Sequence, residues 1–199
     1  MQNLKNSIQA SLDSSRDVLA AFVADTANVE AMDRMGAALA DCFRSGNKVL
    51  ACGNGGSACD ALHFCEELTG RFKGDRKALP AIPLLEGANI TCIANDYGFE
   101  SIFSRGVEAY GKPGDILLAI STSGNSVNVI KAVEAARKIG MTVHLMLGKD
   151  GGKLLGKGDG EVRVKSSDTE RIQEVHMTVL HILIESIERR LFPENYGEN

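Results

Sequence analysis

Four side chains, on two separate stretches of the chain, carry the means for proton transfer or metal binding. His63 and Glu67 stand four residues apart, a spacing that puts both on one face of a helix. An imidazole and a carboxylate so placed suit two metal ligands, or one ligand beside one general base. An ordinary surface pair has the same spacing. Near the carboxyl end, Gln173, Glu174, His176 and His181 crowd a second stretch. On a helix, Gln173 and His181 lie about 12 Å apart along the axis and roughly 80° apart around it. They bracket one site only if their side chains reach towards each other. His176 falls on a different face from His181 and reads as a packed or surface histidine. Together His63, Glu67, Gln173 and His181 contain what an aldose–ketose isomerisation needs. These are a base, an acid, and a place for a divalent cation to steady charge on oxygen. Nothing in their order along the chain shows that they meet.

Two turns have the composition of anion cradles. Gly53-Asn54-Gly55-Gly56-Ser57 lies between an apolar run and a helical pattern; glycines let backbone approach a ligand, and a helix start offers unpaired N–H groups. Taken alone it is equally a tight connection. Ser121-Thr122-Ser123-Gly124-Asn125-Ser126 has the same setting and brings four hydroxyls around one glycine. Helix capping uses one hydroxyl, so four favour the oxygens of a phosphate monoester. Nucleotide signatures fit less well. Gly151 to Lys157 begins like a Walker loop, but Gly158 stands where a hydroxyl belongs. The first turn lacks strict G-x-G-x-x-G spacing, although Glu86 at the end of a strand leaves a ribose contact open. A phosphosugar is the better ligand, with no nucleotide cofactor.

The elements that must position these residues follow from periodicity. Leu4, Ile8, Leu12, Val18, Leu19 and Phe22 recur at helical spacing, and a second amphipathic stretch runs from Val29 to Phe43 before Ser45-Gly46-Asn47. These two helices form an arm with an apolar stripe, suited to its own domain or to a second subunit. Strands are predicted at 48–52, 81–85, 115–120, 142–147 and 161–164. Helices are predicted at 57–71, 99–110, 127–139 and 169–190. Such alternation implies right-handed βαβ units and a mainly parallel five-stranded sheet in a three-layer α/β/α domain. Both turns then fall at the carboxyl ends of strands, where such sheets bind ligands.

Bulk properties restrict the function further. At 199 residues with a net charge of −4, the chain has the size of one domain and lacks the basic excess of a nucleic-acid binder. The five cysteines show no C-x-x-C spacing, as expected of reduced, mostly buried thiols rather than disulfides or a cysteine zinc site. No leader-like segment opens the chain and no apolar run has membrane-spanning length, so a cytoplasmic location and no membrane partner are expected.

Taken in order, Gly53 to Ser57, then Asp60, His63 and Glu67, then Asn95-Asp96-Tyr97-Gly98, then Ser121 to Ser126, then Ile172-Gln173-Glu174 and His181, the chain resembles the bacterial phosphoheptose isomerases of the sugar isomerase (SIS) fold family. The resemblance spans nearly the whole chain. It implies a flavodoxin-like SIS domain over residues 1–199, with a helical arm to 46, a phosphosugar-binding core over 47–192 and a frayed tail over 193–199. It implies conversion of sedoheptulose 7-phosphate to D-glycero-D-manno-heptose 7-phosphate, the first step towards the heptose of bacterial surface polysaccharides. By the same resemblance Ser57, Ser121, Thr122, Ser123 and Ser126 hold the phosphate, while Asn54, Gly55, Gly56, Asn95 and Asp96 line the sugar. Glu67 and His181 are the acid–base pair, His63, Glu67, Gln173 and His181 bind zinc, and a homotetramer carries its active sites at subunit interfaces. Leu84 to Ala88 departs from the family's hydroxyl-rich stretch, and Leu62 stands where glutamine is common; both bear on sugar preference. The rival readings are a non-catalytic SIS adaptor, for the replication initiator or a sensed phosphosugar, and an isomerase of another phosphosugar such as arabinose 5-phosphate.

Overall fold

A computed structural model describes residues 2–197. Five strands form one sheet: β1 (Val49–Gly53), β2 (Ala81–Pro83), β3 (Ile116–Ser121), β4 (Thr142–Gly148) and β5 (Gly160–Val164). Their order is β2-β1-β3-β4-β5 and every pairing is parallel. A parallel sheet buried on both faces selects continuous apolar runs rather than alternation. β1 and β3 accordingly are buried along their whole length.

Successive side chains point to opposite faces and so divide the core in two. Val49, Ala51, Ile116, Leu118 and Ile120 face one layer, with α2 (Thr26–Arg44), α3 (Gly56–Thr69) and α7 (Thr169–Leu191). Leu50, Cys52, Leu117, Ala119, Leu145 and Leu147 face the other, with α5 (Ser104–Tyr110) and α6 (Val127–Ile139). The three-layer α/β/α architecture is the one expected. The arm is present as α1 (Gln2–Ala24) followed by α2. It is tied to α7 by the Ser15 hydroxyl donating to Glu174 at 2.6 Å and by Arg171 donating to the Ser11 carbonyl.

Two expectations needed correction, and one helix lies where no element was expected. The segment before Phe99 is a helix, α4 (Gly87–Tyr97), none of whose residues is buried. Glu86 caps it, accepting from the N–H groups of Ala88 at 3.0 Å and Asn89 at 2.7 Å. Those bonds hold its carboxyl below the usual range and give each oxygen a backbone partner, so Glu86 serves this chain as a helix cap. The helix expected over 99–110 is a 3-10 turn at Phe99–Ser101 followed by α5. Ile102 and Phe103 are both buried there, whereas adjacent positions of a regular helix point about 100° apart. The tail is docked rather than frayed. Pro193–Tyr196 form a 3-10 turn, and the Tyr196 hydroxyl donates to Glu188 at 2.9 Å; residues 198 and 199 lie outside the described residues.

The cysteines are unpaired, with Cys42, Cys52 and Cys65 buried and Cys59 and Cys92 exposed. No helix among the described residues is long and apolar enough to cross a membrane.

Candidate active site

In the 2-1-3-4-5 strand order, chain direction across the sheet reverses between β1 and β3, and the crevice beyond their carboxyl ends is where such sheets bind ligands. Both anion turns lie there. The first runs from the end of β1 into α3, with Gly55 at φ 55° before the helix. Ser57 is buried in the first turn of α3. A Cβ on Gly56 would lie 2.5 Å from the Gln173 carboxamide, so the absence of a side chain there lets α7 bring Gln173 against the turn.

The second turn joins β3 to α6. Ser121 accepts from Gly124 N–H at 3.1 Å and donates to the Ser126 hydroxyl at 3.4 Å, while Ser123 accepts from Asn125 N–H at 3.1 Å. Ser126 occupies the N-cap position of α6 but its side chain does not cap. The capping explanation therefore fails for Ser126, the residue best placed for it, and Asn128 Oδ1 instead accepts from Val129 N–H at 2.9 Å in the first turn of α6. Gly124 adopts φ 62°, and a Cβ there would stand 1.8 Å from the Gly151 carbonyl. The Gly151 segment that resembled a Walker loop thus serves as a buttress. Lys153 N–H donates to Asn125 Oδ1 at 3.1 Å, and Leu154 N–H to the Gly124 carbonyl at 3.1 Å.

The acid–base candidates converge. His63 Nε2 lies 3.1 Å from His181 Nε2 and 3.4 Å from Glu67 Oε1. Among the described residues these three side chains form a group whose ligand atoms all lie within 4.8 Å of one another. Phe72 stacks on the His181 ring at 5.8 Å. Two imidazole nitrogens facing each other across 3.1 Å, with a carboxylate oxygen alongside, share one natural occupant: a proton or a metal ion. Nitrogen, nitrogen and oxygen donors match a borderline divalent metal such as zinc, so the residues fit the group. Gln173 is placed at the first turn, against Gly56.

Asn95 and Asp96 belong to α4. They lie at the exposed carboxyl end of α4, with Asn95 donating to Asp96 at 2.7 Å. Asp96 lines a mainly apolar cleft of ≈ 450 Å³ between β2, α4 and α5. His176, as expected of a packed histidine, is buried, with Nε2 3.0 Å from the Leu147 carbonyl.

Two features are visible only in the fold: the surroundings of Asp60, which the sequence offered only as part of the motif order, and the partner of Asn128. Asp60 is buried with one carboxylate oxygen unpartnered, and burial raises its pKa to about 6, against the opposing pull of His63. Asn128 pairs with Asn54 through both amides; a polar residue at the second position of an otherwise apolar helix start was the available signal.

The SIS domain family model matches residues 12–148. A phosphoheptose isomerase from Fusobacterium nucleatum is 54% identical over 182 residues, spanning 92% of this chain and 94% of the relative. The chain belongs to the SIS domain family and, within it, to the phosphoheptose isomerases. A phosphoheptose isomerase from Photorhabdus laumondii is 53% identical over 92% of this chain and 96% of its own. The solved phosphoheptose isomerase from Francisella tularensis superposes with a TM-score of 0.89 at 38% identity, over 95% of this chain and all of that one. The one from Neisseria gonorrhoeae gives 0.86 at 37%, over 93% and 98%. Phosphoheptose isomerases thus match this chain over its arm as well as its sheet.

Proposed function

We propose that this chain, as a single SIS domain, interconverts sedoheptulose 7-phosphate and D-glycero-D-manno-heptose 7-phosphate. The observation that carries the reading is the convergence of His63, Glu67 and His181 on the helix that begins at the first turn and on α7. From Ser57 to His63 the helix rises about 9 Å, the scale on which a phosphosugar keeps its phosphate and its carbonyl apart.

In this reading Ser57, Ser121, Thr122, Ser123 and Ser126 bind the phosphate. Asn54, Gly55, Gly56, Asn95, Asp96 and Gln173 line the sugar. Glu67 takes the proton from C1 of the ketose and returns it to C2. His181 donates a proton to the C2 oxygen and accepts one from the C1 hydroxyl, so the electron pair of the C1–H bond becomes the enediol double bond and then the new C2–H bond. His63, Glu67, Gln173 and His181 would hold the metal, read as zinc. When bound it supplies positive charge beside the carbonyl and hydroxyl oxygens.

A second subunit over the site is part of the proposal. Leu62, Ile182 and Val127, neighbours of His63, His181 and Ser126, are exposed apolar residues; they favour a homotetramer with interfacial sites. Reduced buried cysteines accord with a cytoplasmic location. A non-catalytic adaptor has no use for an assembled acid–base cluster. Glu67→Gln is expected to keep phosphosugar binding while turnover falls about a thousandfold. Turnover near the wild-type rate would refute the role given to Glu67.

A further inference from the structure

Asn54 and Asn128 form a closed amide pair across the crevice. Asn54 Nδ2 donates to Asn128 Oδ1 at 2.9 Å, and Asn128 Nδ2 donates back to Asn54 Oδ1 at 2.8 Å. Asn128 Oδ1 also accepts from Val129 N–H at 2.9 Å, which occupies both of its lone pairs. Asn128 is 3% exposed.

The positions of the two residues give the pair its meaning. Asn54 immediately follows β1 and belongs to the first turn. Asn128 is the second residue of α6, two past Ser126, the last hydroxyl of the second turn. β1 and β3 are adjacent, with Gly53 opposite Ile120, so the two turns leave neighbouring strands in parallel and diverge into helices on opposite faces of the sheet. Among the described residues the β1–β3 ladder ends with Gly53 opposite Ile120. Beyond that end the amide pair is a polar link between the two turns.

We propose that Asn128 is a positioning residue that fixes the first turn against the phosphate turn, and that the Asn54 side chain is its strut rather than a sugar ligand. The proposal rests on the reading that these turns hold the two ends of one phosphosugar. Binding such a molecule requires the spacing between the turns to be set beforehand; a small misplacement weakens every contact at once. Sugar contacts from Asn54 then come from its backbone, which the strut holds in place. Removing either partner leaves the other amide unsatisfied in a largely buried place.

A double-mutant cycle decides between strut and ligand. Asn54→Ala, Asn128→Ala and the double variant are compared for KM and kcat with sedoheptulose 7-phosphate, for the Kd of inorganic phosphate, and for Tm. Each single variant is expected to raise KM and the phosphate Kd about tenfold, with a smaller effect on kcat, and the double variant to be no worse than either single. Losses that multiply in the double variant would show Asn54 acting on the sugar by itself and would overturn the proposal. So would an Asn128→Ala protein with wild-type KM and phosphate Kd. If Asn128→Ala does not fold, Asn128→Asp serves: it keeps the acceptor for Val129 and Asn54 but loses the donor, and is expected to raise the phosphate Kd in the same direction. An unchanged Kd there overturns the strut. Wild-type protein that binds phosphate but leaves the sugar unturned would contradict the isomerase reading instead, and the phosphate Kd series still decides the role of Asn128.

Discussion

His176 is a residue whose chemistry is set by where the fold puts it. Its Nε2–H donates to the Leu147 carbonyl, leaving Nδ1 buried without a partner. Burial lowers its pKa from 6.5 to about 4, with the carbonyl opposing. A depressed folded pKa stabilises the native state fully above the unfolded value, and that stability is lost as pH falls from 6.5 towards 4. The amount at neutral pH is on the order of 3 kcal/mol. His144 is buried and shifted to about 4 in the same way. Asp60, raised to about 6, works in the opposite sense: its contribution is present below pH 3.8 and is lost as pH rises through 6. His176→Gln, which can still donate to Leu147, is expected to flatten the acid limb of a stability–pH curve measured by denaturant unfolding. An unchanged slope between pH 6.5 and 4 would contradict this account of His176. At this scale the grouping of His63 with Glu67 on one helix face was legible in the sequence, because helical spacing is local, whereas the approach of His181 was not. The sequence said nothing of Asn128 or of Glu86 as a cap, because a partner and a burial are properties of the folded chain.

Among the elements, α3 carries His63 and Glu67 and α7 carries His181, and a buried ion pair joins the two helices. Arg76 donates to Glu188 on α7 at 2.8 Å and to the carbonyls of Glu67 and Leu68, at 2.6 and 2.7 Å, near the end of α3. Both charged side chains are fully buried. Arg76→Met would strand the Glu188 carboxylate, which is expected to destabilise the protein by about 3–5 kcal/mol. Arg76→Met/Glu188→Leu should recover most of that loss. A single variant as stable as wild type in urea would show that the pair does not couple the two helices. The strands were legible in the sequence because buried parallel strands are short apolar runs, and α6 was legible because its apolar stripe and flanking Gly140 mark both ends. α4 was not. Ile90, Ile93 and Ala94 give it only a short stripe, its cap is a glutamate, and no residue in it is buried. β2 ends at Pro83, whose missing N–H an edge strand tolerates, and Leu84 N–H beyond it still donates to the Ala51 carbonyl at 2.9 Å.

For the molecule as a whole, the arm is the part left without enough to cover it. Leu4, Ile8 and Leu12 of α1 are 68%, 55% and 61% exposed and share one helix face. An uncovered apolar stripe of this kind marks an association surface. Light scattering on the purified protein is expected to give a tetramer, and Ile8→Lys/Leu12→Lys a smaller species with reduced turnover. A wild-type monomer with full activity would contradict the interfacial site. The amphipathic arm was legible in the sequence, but a stripe fits a subunit and its own domain equally until its exposure is seen. The central claim is that His63, Glu67 and His181 form a metal-supported acid–base centre for a phosphosugar bound by the two turns. It is tested most directly by incubating the protein with sedoheptulose 7-phosphate and following the aldose by NMR, before chelation, after it, and after zinc is returned. Aldose formation that chelation stops and zinc restores is the expected result. Phosphosugar bound without turnover at any metal content would contradict the account.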